Sequence, residues 1–84
     1  MNSLELNLIR KEKDYQICEN IIAVLFTHAD KKNNTYSVIK LKKIVENILN
    51  LKVDMEAFKL ALCDGGYPCL ITNSDVYFTL KFRI

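Results

Sequence analysis

SVIKLKKIVENILNLKVDMEAFKLALCDGG, residues 37–66, decides the fold of this chain. Ser37 has the side chain to cap a helix over 38–49, because its hydroxyl can accept a backbone N–H of the first turn. Leu41, Ile44, Val45, Ile48 and Leu49 fall on one face of that helix, while Lys40, Lys42, Lys43, Glu46 and Asn47 fall largely elsewhere. Asn50-Leu51-Lys52-Val53 reads as a tight turn, with Leu51 or Val53 tucked inward. Asp54 then caps a second helix over 55–64, whose buried side carries Phe58, Ala61 and Leu62, with Met55 near its start. Gly65 and Gly66 supply the left-handed backbone that ends it.

Downstream, Val76, Phe78, Leu80, Phe82 and Ile84 alternate with Tyr77, Thr79, Lys81 and Arg83. Strict alternation predicts one half-buried strand over 76–84. Its partner is Cys69-Leu70-Ile71-Thr72, joined through Thr72-Asn73-Ser74-Asp75, which is turn chemistry. Pro68 lacks an N–H and belongs at the start or edge of the first strand.

Upstream, Thr35-Tyr36-Ser37 predicts a very short strand, preceded by the polar loop DKKNN at 30–34. Residues 14–29 predict a helix capped by Asp14, with Ile17, Ile21, Leu25 and His28 at helical spacing beside Cys18, Ile22 and Ala29. Val24 and Phe26 widen the stripe, so this helix is expected to be nearly surrounded and to form the pillar of the core. His28 reads as a dipole partner at the helix C-terminus or as a solvated side chain. Residues 1–13, MNSLELNLIRKEK, fit a strand through Leu4, Leu6 and Leu8, or a helix capped by Ser3. They are either an arm packed on the body of the domain or a homodimerisation segment. The organisation is thus a terminal segment, 1–13, and a domain, 14–84.

Length and composition bound the function. A chain of 84 residues holds one domain with one modest core, and a hydrophobic share of 50% predicts that the core is packed. A net charge of +2 permits a nucleic-acid partner without demanding one. The apolar run IIAVLF at 21–26 is far short of the roughly 20 residues that cross a bilayer, so no membrane role is expected. The N-terminus lacks the pattern of a signal peptide, which points to the cytoplasm. Three cysteines with no CxxC pair suit reduced thiols, and no cofactor or metal is expected. An enzyme is not expected either. His28 is the only histidine, Gly65-Gly66 is a helix stop rather than a phosphate loop, and no base sits beside a nucleophile.

The order of elements, with YSVIKLKKIVENIL at 36–49 and AFKLALCDGGYPCLIT at 57–72, resembles the winged helix-turn-helix superfamily. Small bacterial regulators of the ArsR, MarR and PadR kind belong to it. The resemblance is one of architecture and covers residues 14–84. It implies an α+β fold of three helices followed by a C-terminal β-hairpin wing, with an N-terminal arm or extra helix. It also implies a DNA-binding transcriptional regulator, expected as a dimer, whose partner is double-stranded DNA. In such proteins the third helix enters the major groove while the second helix and the wing touch phosphates. Carried over by position, base contacts would come from Glu56, Lys59, Leu60 and Cys63. Ser37, Lys40, Lys42, Lys43, Lys52 and Arg83 complete the candidate DNA-binding set.

The third helix is a poor reader of bases, since it offers one lysine, the acids Asp54 and Glu56 and an apolar pair. If DNA is bound, backbone contacts from Lys40, Lys42 and Lys43 are expected to outweigh base contacts from Lys59. The other basic residues cluster at Arg10, Lys11 and Lys13, at Lys31 and Lys32, and at Lys81 and Arg83. A second reading keeps the same fold as a protein-interaction module that offers Leu60 and Cys63 to a partner's groove. A third pairs Cys63 with Cys69 as a thiol metal or redox sensor, which needs Cys18 or His28 as a further ligand, against two ordinary half-buried cysteines.

Overall fold

The computed structural model of the protein describes Leu4, Leu8, residues 12–29 and residues 34–83. Within them lie three helices and a small antiparallel sheet, an α+β arrangement. The helices are α1 (Lys13–Leu25), α2 (Val38–Leu49) and α3 (Met55–Asp64). The strands are β1 (Phe26–Thr27), β2 (Thr35–Ser37), β3 (Cys69–Ile71), β4 (Val76–Thr79) and β5 (Lys81–Phe82).

Helices α2 and α3 have the bounds the sequence predicts, because both caps form. The Ser37 hydroxyl accepts the Lys40 N–H at 3.1 Å, and an Asp54 carboxylate oxygen accepts the Ala57 N–H at 2.9 Å. Asn50 closes α2 in the left-handed region at φ 53°, a conformation that a short polar side chain tolerates. Val38, Leu41 and Val45 are buried, but Ile48 and Leu49 are exposed, so the apolar stripe of α2 outruns the core it packs on. Val53 turns inward and Leu51 outward. On α3, Ala57, Phe58, Ala61 and Leu62 are buried.

Only one of the two glycines takes the left-handed conformation. Gly66 has φ +80°, whereas Gly65 is right-handed at φ −74°. Gly65 still donates its N–H to the Ala61 carbonyl and so belongs to the last helical turn. A Cβ there would stand 3.0 Å from the Tyr67 ring, a tight contact that a glycine avoids.

Four expectations, three about α1 and one about the last strand, are corrected. Helix α1 starts after Glu12, whose side chain makes no capping bond; Asp14 lies in the first turn and is not the cap. There its charge still suits the helix dipole. The helix stops at Leu25 instead of reaching Ala29, because Phe26 and Thr27 pair as a strand with Phe82 and Lys81. His28 therefore stands outside the helix. Helix α1 is not surrounded, either: Val24 is 69% exposed and Ile17 also reaches solvent.

The alternating run 76–84 is not one strand. β4 lies between β2 and β3, with Tyr36 and Cys69 both opposite Phe78. At Leu80, whose side chain is fully buried, the chain leaves that sheet, and the Leu80 N–H goes to the Asn34 carbonyl. β5 then pairs with β1. The Arg83 N–H bonds the Leu25 carbonyl at 2.8 Å and its Nε donates to the Phe26 carbonyl at 2.9 Å. Alternation survives the break because Phe78, Leu80 and Phe82 all face the interior, and periodicity alone carries no information about which strand is the partner.

The core is one cluster centred on Phe26, Phe58, Phe78, Leu41, Leu62 and Leu80, contributed by all three helices and by strands β1 and β4 together with the residue that follows β4. Leu4 and Leu8 are helical and exposed. The other residues of the expected 1–13 segment, apart from Glu12 and Lys13, lie outside the described residues, as do 30–33 and Ile84. No described helix is long and apolar enough to cross a membrane.

The capping geometry predicts that Asp54→Ala lowers the unfolding free energy by about 1 kcal/mol while Asp14→Ala changes it by a few tenths at most. Urea denaturation of the two variants checks the order, and an equal loss in both would contradict it.

Candidate nucleic-acid interface

Lys40, Lys43, Asn47 and Asn50 recur at intervals of three or four along α2 and its cap, and all four are exposed. The spacing lines them along one side of the helix, so α2 presents a polar, cationic stripe to solvent. Lys42 is spoken for differently. Its ammonium contacts the Glu46 carboxylate at 3.0 Å. The same Glu46 oxygen accepts the Val53 N–H at 2.8 Å, across the turn that leads to α3. That backbone bond first, and the Lys42 ammonium second, hold the Glu46 carboxyl below its usual range. Lys52, exposed in the turn, adds a smaller Coulombic contribution of the same sign.

The outward side of α3 has less to offer. The Lys59 ammonium is paired with the Glu56 carboxylate at 3.1 Å, so its charge is locally offset. Leu60, expected on the exposed side, is half-buried and packs in part against the core. Helix α3 packs against both α1 and α2, so its buried band is wide enough to take in part of Leu60. Cys63 is exposed. Lost hydration at the junction of α3 with β3, and then the neighbouring Cys69, push its thiol above the ordinary range. Ser37 is committed to its capping bond, and the Arg83 guanidinium is tied to the Phe26 carbonyl, so both have structural work.

The hairpin tip is built by Thr72. Its hydroxyl accepts the Asp75 N–H at 3.1 Å and donates to the Asp75 carbonyl at 3.0 Å, while the Asp75 carboxylate folds back onto the Val76 N–H. Residues 65–74 carry no charge, and the hairpin brings no cation. Leu70 and Ile71 are exposed by 61% and 74%.

A cleft of about 200 Å³ lies elsewhere, between α1 and the end of α3, lined by Glu19, Ile22, Ala23, Ala61, Asp64, Gly65 and Tyr67. Beside it the Tyr15 hydroxyl donates to Asp64 at 2.6 Å and stands 3.4 Å from Glu19. Burial first, and Asp64 second, push the Tyr15 phenol well above its ordinary range. His28 stacks on Tyr67 with ring centroids 4.4 Å apart. Sequence reasoning missed both arrangements: Tyr15 and Asp64 are 49 residues apart, and the stack forms only because α1 ends early. Cys18 is buried and its thiol is pushed up to about 11, by desolvation and then by Asp54 and Asp14. Cys63 and Cys69 come together, but among the described residues no group of three or more potential ligands could hold a metal ion.

No family model, curated protein or solved structure matches this chain.

Because the folded-state pKa of Glu46 is depressed, its contribution to stability is present above the unfolded carboxylate value of roughly 4.3 and is lost as pH falls through the lowered folded value. Glu46→Gln is therefore expected to be less stable than wild type at pH 7, with the gap closing at pH values below that range. Urea midpoints measured across that range check it; a gap independent of pH would contradict it.

Proposed function

We propose that this chain is a winged helix-turn-helix domain that binds duplex DNA chiefly through its phosphates and acts as a small transcriptional regulator. The element order supports the fold reading. Helix, short strand, two helices across a tight turn and a hairpin follow in sequence, and the last hairpin strand lies centrally between the other two. The exposed stripe of Lys40 and Lys43 on α2 carries the functional reading, together with Lys52 at the turn. Cations held on a rigid helix suit phosphate oxygens, which fix position on a duplex without reading sequence. The pairing of Lys59 with Glu56 argues that α3 contributes little base discrimination. Such a domain would bind weakly and with shallow sequence preference.

A protein-interaction role for the same fold is the second reading, favoured by the exposed Leu70 and Ile71 on the uncharged stretch 65–74 rather than by Leu60. Binding of a labelled duplex, followed against salt, separates the two. Two or three phosphate contacts predict a log–log salt slope of about −2 to −3, and Lys40→Ala or Lys43→Ala each reduces it by about 1. Lys59→Ala leaves the slope unchanged. A slope near zero, or no binding at low salt, would overturn the DNA reading.

A further inference from the structure

The outer edge of β3 is a ready template for another strand. Among the described residues, β3 is the terminal strand of the β2-β4-β3 sheet. The Thr79 N–H bonds the Pro68 carbonyl and the Thr72 N–H bonds the Asp75 carbonyl, both at 2.9 Å. Antiparallel bonding alternates along a strand, so Leu70, midway between these rungs, spends its N–H and carbonyl on Tyr77. Cys69 and Ile71 therefore turn theirs away from β4, to an edge that no described strand pairs with. Natural sheets protect such edges with charge, bulges or proline within the strand. Here Pro68 precedes the strand, and no charged residue occurs over 65–74. Cys69, Leu70 and Ile71 are all exposed.

We infer that two copies of this chain pair through β3, antiparallel about a two-fold axis at Leu70. A closed two-fold contact demands a self-complementary surface, and this strand provides one. In that register Cys69 and Ile71 of one copy exchange their outward N–H and carbonyl groups with Ile71 and Cys69 of the other. Leu70 meets its own symmetry mate at a non-hydrogen-bonded position, where side chains come closest. An uncharged strand meets no like-charge penalty on pairing with itself, whereas an acidic or basic partner strand would find no complementary charge. The resulting sheet has six strands; Leu70 gains its symmetry mate as a cross-strand neighbour and Ile71 gains Cys69 of the other copy, without use of the α2 stripe. The assignment concerns association alone and stands or falls separately from DNA binding.

Sedimentation of the full chain over rising concentration tests it. The expected result is a mass approaching twice 9.7 kDa, returned to the monomer by Leu70→Lys and left unchanged by Val24→Lys at a comparably exposed site. Register is tested by cysteine placement in a chain carrying Cys63→Ser and Cys69→Ser. Leu70→Cys is expected to form an intermolecular disulfide with diamide, since opposed non-hydrogen-bonded positions bring Cβ atoms within bonding range. Ile71→Cys, offset from its mate, is expected not to. A chain that stays monomeric at millimolar concentration, a Leu70→Lys variant that still dimerises, or equal cross-linking at both positions would overturn the inference. If Leu70→Lys does not fold, the cross-linking pair decides.

Discussion

The Glu46 carboxylate accepts the Val53 N–H at 2.8 Å and so ties α2 to the turn that leads into α3. It spans seven residues and closes the turn from the α2 side, while the left-handed Asn50 reverses the chain and Asp54 starts the next helix. Lys42 supports the carboxylate from one helical turn away. A hydrogen bond to an ionised acceptor is roughly twice as strong as a neutral one, and here it fixes a loop that otherwise holds only Val53 in the core. With the turn closed, Leu41 and Val45 of α2 share one cluster with Phe58 and Leu62 of α3.

The second constraint is the divergence of the chain at Leu80. One continuous strand would have left Phe26 without a partner and the end of α1 without a stop. Splitting it gives Phe78 to the three-stranded sheet and Phe82 to Phe26, whose rings meet edge to face at 5.0 Å. The Arg83 side chain seals that junction against the Phe26 carbonyl. A residue that reads as a surface cation in the sequence is thereby a structural one.

Local chemistry was legible in the sequence, and long-range pairing was not. Ser37, Asp54 and the glycine pair act within four residues of where they stand, so α2 and α3 could be bounded from the chain alone. Helix α1 was overextended because its apolar spacing continues through Phe26 and His28, and only the strand at 81–82 shows that those residues leave the helix. Leu60 is half-buried rather than fully outward for a related reason: α3 packs against both α1 and α2, and a single stripe cannot express that. The candidate site was partly legible. Lys40 and Lys43 were named from the pattern and are exposed, while the ion pairs of Lys42 and Lys59 and the backbone role of Arg83 needed three dimensions.

Charge then follows architecture. Lys40, Lys43 and Lys52, all on or next to α2, make no ion pair with a described residue, and neither do Lys13 and Lys81, while the hairpin over residues 69–79 carries no cation and Asp75 is its one charged residue. On this account α2 faces phosphate and the wing edge faces protein. Backbone amide chemical shifts followed during titration with a short duplex test the division directly. The account predicts that the largest, salt-sensitive shifts fall on residues 38–47 and on Lys52. Shifts confined to residues 69–75 and the outer side of α3, or shifts indifferent to salt, would contradict it.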